Sequence, residues 1–264
     1  MSNSYNYPQN NEYTYNGQTS KSASYLPKYY NENVEPIYPV LNDQTSLEIR
    51  MPFIQKVYFL LILQIIYTTG IVSVCYFVDQ VYNFLMENPW IFYSSLIVYF
   101  VLFIVLICID KVARTKPWNY ILLFVFTTAV SIILGTSIPG NYDGKLVFIC
   151  LGITLFVTIC ASFYACQTKR DFTTKGGILF AFFVALLVFI VLQFFFRSQM
   201  LGLIISVIGA FLMTAYIIFD TQLIIGGKHR RYQLYTDEHV FGALILYVDI
   251  LNLFLFMLGI NRNS

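Results

Sequence analysis

Charge is what this sequence has least of. Only 11% of its 264 residues are Asp, Glu, Lys or Arg, against about 25% in an ordinary soluble domain. With 58% hydrophobic residues and a mean hydropathy of +0.66, the chain reads as a multi-span membrane protein. The five cysteines, Cys75, Cys108, Cys150, Cys160 and Cys166, include no C-x-x-C pair. That argues against a zinc site or a disulfide framework, and they read as small buried hydrophobes. No apolar h-region opens the chain, so no cleavable signal peptide is expected and the first apolar run directs insertion. The net charge of +2 builds no strong field, and no nucleic-acid partner is expected.

What is present falls into two parts. Residues 1–50 are rich in Asn, Tyr, Ser, Gln and Pro and hold eight of the 21 tyrosines. Such a segment buries too little apolar surface to offset its ordering entropy and reads as a disordered tail. Tyr38-Pro-Val-Leu41 has the shape of a tyrosine-based sorting signal, but chance accounts better for so short a pattern in a Tyr-rich stretch.

Residues 51–264 hold seven apolar runs, about 57–78, 91–109, 120–138, 146–166, 178–196, 200–225 and 240–260. Each approaches the roughly 20 residues that a helix needs to cross about 30 Å of hydrocarbon. The runs are continuous rather than alternating, which excludes a β-barrel and leaves an all-α membrane protein of seven transmembrane helices. Pro89, Pro117 and Pro139 fall in the gaps, with Trp90 and Trp118 at interface depth, and Pro52 marks a helix start. Gly202, Ser206, Ala210 and Thr214 stack one side of the sixth run and permit close helix approach. Gln64, Thr127, Thr128, Ser131, Thr158 and Gln193 read as interhelical hydrogen-bonding groups.

Basic residues set the expected orientation. Thirteen of 16 Lys and Arg fall in the tail and in the loops around Lys111, Lys169 and Lys228, against Lys145, Arg197 and Arg262 on the other side. The positive-inside rule then makes the tail cytosolic and Ser264 lumenal or extracellular.

Two acids stand apart from the other twelve. Asp220 and Asp249 alone lie well inside apolar runs, where a charge costs roughly 2.5–3.5 kcal/mol on the insertion scale. Both runs border the same basic loop. Asp220 lies about 9 Å from that loop and Asp249 about 13 Å at 1.5 Å per residue, so neighbouring helices bring them within about one turn. Asn252 is placed one turn further on the face of Asp249, to donate a hydrogen bond to the pair. No Lys or Arg lies inside any run to neutralise them. Two buried carboxylates in contact cannot both ionise cheaply, so one is expected to hold a shared proton. Separation exposes oxygen ligands suited to a hard cation, which marks Asp220 and Asp249 as transient metal ligands.

The pieces YIIFDTQLIIGG (216–227), KHR (228–230), ALILYVDILNLF (243–254) and KPWNYILLFVFTTAVSIILG (116–135) resemble the transmembrane Bax-inhibitor-motif family, in its Lifeguard-type branch. The resemblance covers residues 47–262. It implies a seven-helix fold with the last helix central, and paired carboxylates at Asp220 and Asp249. It further implies a pH-sensitive calcium leak from an intracellular store and a cytoprotective, anti-apoptotic role. Calcium is then the permeant species and no resident cofactor is expected. The endoplasmic reticulum or Golgi is the expected membrane, with vacuole, lysosome or plasma membrane as alternatives. In some bacterial relatives a basic side chain from an early helix contacts the pair. Here only Lys111 or Arg114, at the end of the second run, is placed to reach inward.

Two other readings compete with the channel. A non-conducting regulator that binds cell-death or calcium-channel proteins leaves no motif of its own. An intramembrane aspartyl protease also sets one Asp in each of two late spans, but its second Asp follows a G-x-G pattern and a PAL motif comes later. Val248-Asp249 has neither, so no enzyme is expected.

Overall fold

The computed structural model describes residues 41, 47–109, 115–226 and 234–263, the side chains of 47, 48, 262 and 263 excepted. The reading of the tail as disordered, and the reach of Lys111 and Arg114, fall outside them.

Eight α-helices are described: α1 (Leu47–Phe77), α2 (Asp79–Glu87), α3 (Pro89–Cys108), α4 (Trp118–Ser137), α5 (Gly144–Gln167), α6 (Gly176–Phe196), α7 (Gln199–Ile225) and α8 (His239–Asn263). Seven of them, all but α2, are long and apolar enough to cross a membrane. In hydrocarbon the backbone finds partners only within its own helix, so each continuous apolar run closes into one. The protein is a multi-pass integral membrane protein.

The boundaries follow local chemistry. Pro89 opens α3 at its first position, where its missing N–H is not needed. Arg197 ends α6 in the left-handed region at φ 47°, and the Ser198 hydroxyl accepts from Leu201 N at 3.4 Å to cap α7. Two differences from the sequence reading stand out. The first helix begins at Leu47, ten residues before the apolar run, and Pro52 lies inside it rather than at its start. Pro52 is exposed, in the second turn, so the lost backbone bond falls near the helix end. The gap after the first run holds α2, whose apolar Val81, Phe84 and Leu85 alternate with Asp79, Gln80 and Asn83 in an interfacial pattern.

The last helix is the centre. Along α8, Leu244, Leu246, Tyr247, Leu253 and Leu258 are fully buried. It packs against α7, α1 and α5, and more lightly against α4, while α3 joins the bundle through α4 and α6 through α7. Phe194, Phe195 and Phe196 of α6 stay exposed, as a lipid-facing surface requires. The small-residue face of α7 meets α8: a Cβ at Gly209 would lie 2.5 Å from the Phe256 ring, and one at Gly259 would strike Ser206 Oγ.

Polar residues stitch α1, α4 and α8 together. Gln64 Nε2 donates to Thr127 Oγ1 at 3.0 Å, Thr68 Oγ1 meets the Tyr247 hydroxyl at 2.5 Å, and Ser131 Oγ lies 3.1 Å from Thr68 Oγ1. Thr128 pairs with Tyr67 at 3.3 Å. Thr158 departs from expectation, since it donates to Thr154 O in its own helix at 2.8 Å. Gln193 leaves its Oε1 without a partner. Cys75 and Cys150 are buried, but Cys108, Cys160 and Cys166 are exposed on helix surfaces. A thiol weakly polar enough for a core suits hydrocarbon equally well, so apolar context alone did not distinguish the two.

Candidate functional site

Asp220 sits five residues before the end of α7, and Asp249 ten residues after the start of α8. The antiparallel packing of the two helices places both side chains in their shared seam, at 6% and 8% exposure. The two carboxyl groups meet as hydrogen-bonding neighbours. A carboxylate carries only acceptors, so such a contact requires a proton on one of them. Among the described residues neither acid pairs with a Lys or Arg, and Asp249 Oδ2 is buried without a partner. Tyr216, one turn before Asp220, lies within electrostatic reach of both acids.

Asn252 is not part of the pair's network. Its Nδ2 donates to Val248 O at 2.9 Å, back along its own helix. A short amide side chain on a helix finds the carbonyl four residues earlier more readily than a neighbour across the seam.

Apolar side chains close the seam away from the basic loops. Ile217, one turn from Asp220, and Leu253, one turn from Asp249, are fully buried. The other end is closed by groups that the sequence reading did not connect with the pair. Arg50 Nη2 donates to Ile225 O at 2.8 Å and to Gly226 O at 3.4 Å. Its charge caps the negative end of α7. Gly226 turns the chain at φ 61°, a conformation that favours glycine. A Cβ there would also collide with the Leu41 carbonyl. Leu41 itself is fully buried, and its N–H donates to Leu234 O at 3.0 Å.

Gln222, two residues past Asp220, fastens the α5–α6 connection to α7. Its Oε1 accepts from Phe172 N at 2.8 Å and its Nε2 donates to Arg170 O at 3.1 Å. At the start of α8, buried His239 shares a 2.6 Å hydrogen bond with the Tyr120 hydroxyl of α4. The acids thus sit on two helices whose ends near the basic loops are both held from outside.

The family profile described as "Inhibitor of apoptosis-promoting Bax1" matches residues 50–264. The chain belongs to this family, the Bax inhibitor family. It is 34% identical over 215 residues to protein lifeguard 3 of Homo sapiens, covering 80% of this chain and 68% of that protein. Protein lifeguard 3 of Mus musculus is 33% identical over 216 residues, 80% of this chain and 69% of its own length. Protein lifeguard 4 of Mus musculus is 35% identical over 215 residues, 81% of this chain and 85% of that protein. Within the Bax inhibitor family the likeness is therefore to the Lifeguard type. The family's role is that of membrane proteins opposing apoptosis.

Proposed function

We propose that this Bax inhibitor family protein is a pH-sensitive calcium leak pathway of an intracellular membrane, gated by the Asp220–Asp249 contact. The observation that carries the reading is the buried contact itself, made across the α7–α8 seam. Two acids in hydrocarbon are costly, and hydrogen-bonding amides would hold two helices together at lower cost. A shared proton closes the seam. Its loss leaves two like charges that repel each other and part the helices. The freed carboxylate oxygens are hard ligands for a passing calcium ion. Lowering the calcium content of a store in this way is the link to cytoprotection.

The test is purified full-length protein in calcium-loaded liposomes. Efflux above that of protein-free liposomes is expected near neutral pH, falling as the medium is acidified. Liposomes that hold their calcium at every pH would remove the conductance, and leave a regulator that acts by binding cell-death or calcium-handling proteins.

The proposed setting is the endoplasmic reticulum or Golgi, with the tail cytosolic and Ser264 lumenal. Thirteen basic residues against three support this orientation. Protease added to sealed microsomes should digest the tail and spare a tag placed after Ser264. A protected tail with a digested tag would reverse the orientation.

A further inference from the structure

A proton that opens and shuts the acid pair has to reach it. Both ends of the α7–α8 seam are closed, by Ile217 and Leu253 at one end and by Leu41 and Arg50 at the other. Entry is then from the flank, where α1 and α5 pack against both α7 and α8. Polar groups gather there. The Tyr58 hydroxyl of α1 lies within hydrogen-bonding reach of the hydroxyls of Ser162 on α5 and Thr221 on α7, with the Cys166 thiol of α5 close by. Three helices thus each bring one hydroxyl to one place, and Thr221 directly follows Asp220.

Thr221 sets this cluster apart from hydroxyls that only pack. Ser206 and Thr214 of α7 donate to Gly202 O and Ala210 O, and Thr154 and Thr158 of α5 donate to Cys150 O and Thr154 O, each at 2.8 Å. A hydroxyl inside a helix is ordinarily satisfied in this way, on the carbonyl four residues back. Thr221 is fully buried, yet its Oγ1 closes no hydrogen bond, either on its own helix or across to Tyr58. Such a group costs about 1–3 kcal/mol and calls for a reason other than packing. Asp249 Oδ2, on the acid that Asp220 meets, is likewise left over. In the other direction the cluster reaches the surface. Tyr58 is half-buried, Cys166 is exposed in the last turn of α5, and Lys169 and Arg170 beyond it are exposed at the level of the basic loops. Ionisable groups facing the flank are few: Cys166 from α5, Tyr216 from α7 and Asp249 from α8. Helix α6, packed on α7, holds no ionisable residue, and Lys56 of α1 acts on His239 instead.

We propose that Tyr58, Ser162 and Thr221 form the route by which protons from the side of the basic loops reach the Asp220–Asp249 contact, with the Tyr58 hydroxyl at its centre. Its use in gating rests on the calcium-leak reading above; the route itself needs only a pair that exchanges protons. Tyr, Ser and Thr hydroxyls both donate and accept. A hydronium ion at the mouth gives its proton to one hydroxyl oxygen, whose own proton moves on to the next. At each hydroxyl one O–H bond forms and one breaks, and the last proton goes to an ionised carboxylate. The net change is hydronium to water and carboxylate to carboxyl. Thr221 can serve because no backbone bond holds its hydroxyl. It neighbours Asp220 along α7, so the last transfer is made directly or through one water.

The test follows carboxyl protonation directly and so does not depend on calcium passage. Full-length protein in liposomes is brought rapidly from neutral to acidic pH, and the carbonyl stretch of protonated carboxyl groups is followed by infrared spectroscopy. The signal of the Asp220→Asn, Asp249→Asn double variant is subtracted. Tyr58→Phe and, separately, Thr221→Val should each slow the appearance of the pair's signal at least tenfold, while its final size and the pH of its midpoint stay at the wild-type values. Thr158→Val removes a hydroxyl already committed to its own helix and should leave the rate unchanged. A merely structural role would move the midpoint rather than the rate. A wild-type rate in either variant, equal slowing by Thr158→Val, a displaced midpoint at unchanged rate, or a pair that takes up no proton would overturn the route. Slowed uptake in liposomes that hold their calcium at every pH would keep the route and remove the gating reading. Unslowed uptake beside a leak that depends on the pair would do the reverse.

Discussion

Calcium efflux from liposomes carrying the Asp220→Asn, Asp249→Asn double variant is expected to show no pH dependence in the physiological range. The two acids are the only ones in the described residues that lie deep in the seam of α7 and α8, and they touch each other. With amides in both places no titratable group remains at the contact, while amide-to-amide hydrogen bonding preserves its shape. The double variant also loses the charged oxygen ligands. A loss of about 1.4 kcal/mol in stabilisation of the passing cation already slows passage about tenfold, and neutral-pH leak should fall by at least that factor. Each single variant keeps one acid that has no like-charged neighbour. Its leak should be small and its pH profile displaced from that of the wild type. The sign follows from the mechanism: passage needs an ionised carboxylate, so leak falls as pH drops through the lower apparent pKa of the pair. Stability should not suffer, because the exchange removes two groups whose ionisation in hydrocarbon is costly. A double variant that keeps the wild-type pH profile would make the carboxylates structural and sink the gating reading.

The residues behind that prediction are legible in the sequence, because the information for it is local. A continuous apolar run specifies a membrane helix by composition, and six of the seven helices begin and end within about three residues of their runs. The depths of Asp220 and Asp249 follow from a fixed rise per residue and a shared loop. What sequence periodicity did not convey was which side chain answers which across the bundle. The partner of His239 is Tyr120, 119 residues away, and Arg50 caps a helix 175 residues further on. No spacing rule connects such positions. Asn252 shows the reverse limit. Its place on the Asp249 face was correctly read from the i, i+3 relation, but the choice between a neighbour and its own backbone depends on local geometry. The nine residues of α2 are too few to span and too polar to form a run, so a pattern sought at membrane length passes over them.

The seam that brings the acids together yields the second large effect. Membrane helices gain little from burying apolar surface against one another, since lipid is equally apolar, so close backbone approach carries the packing energy. At the end of the seam remote from the basic loops that approach depends on Gly259, where a Cβ would strike Ser206 Oγ and lie 3.3 Å from Ser206 Cβ. Gly259→Ala is therefore expected to destabilise the folded protein by about 1–3 kcal/mol, the usual cost of overpacking. This should outweigh the gain of roughly 0.5–1 kcal/mol from removing a helical glycine. Ser206→Gly takes away both atoms that the new methyl group meets. It forfeits only the hydroxyl's 2.8 Å bond to Gly202 O within α7 and the helix preference of a side chain. Combined with Gly259→Ala, it should recover most of the loss, giving a coupling between the two positions well above the few tenths of a kcal/mol seen for independent sites. Thermal unfolding of the four proteins in one detergent reads that coupling directly. Additive single effects would mean that the helices do not meet at this point, and would weaken the case that α7 and α8 are held close enough to press Asp220 against Asp249.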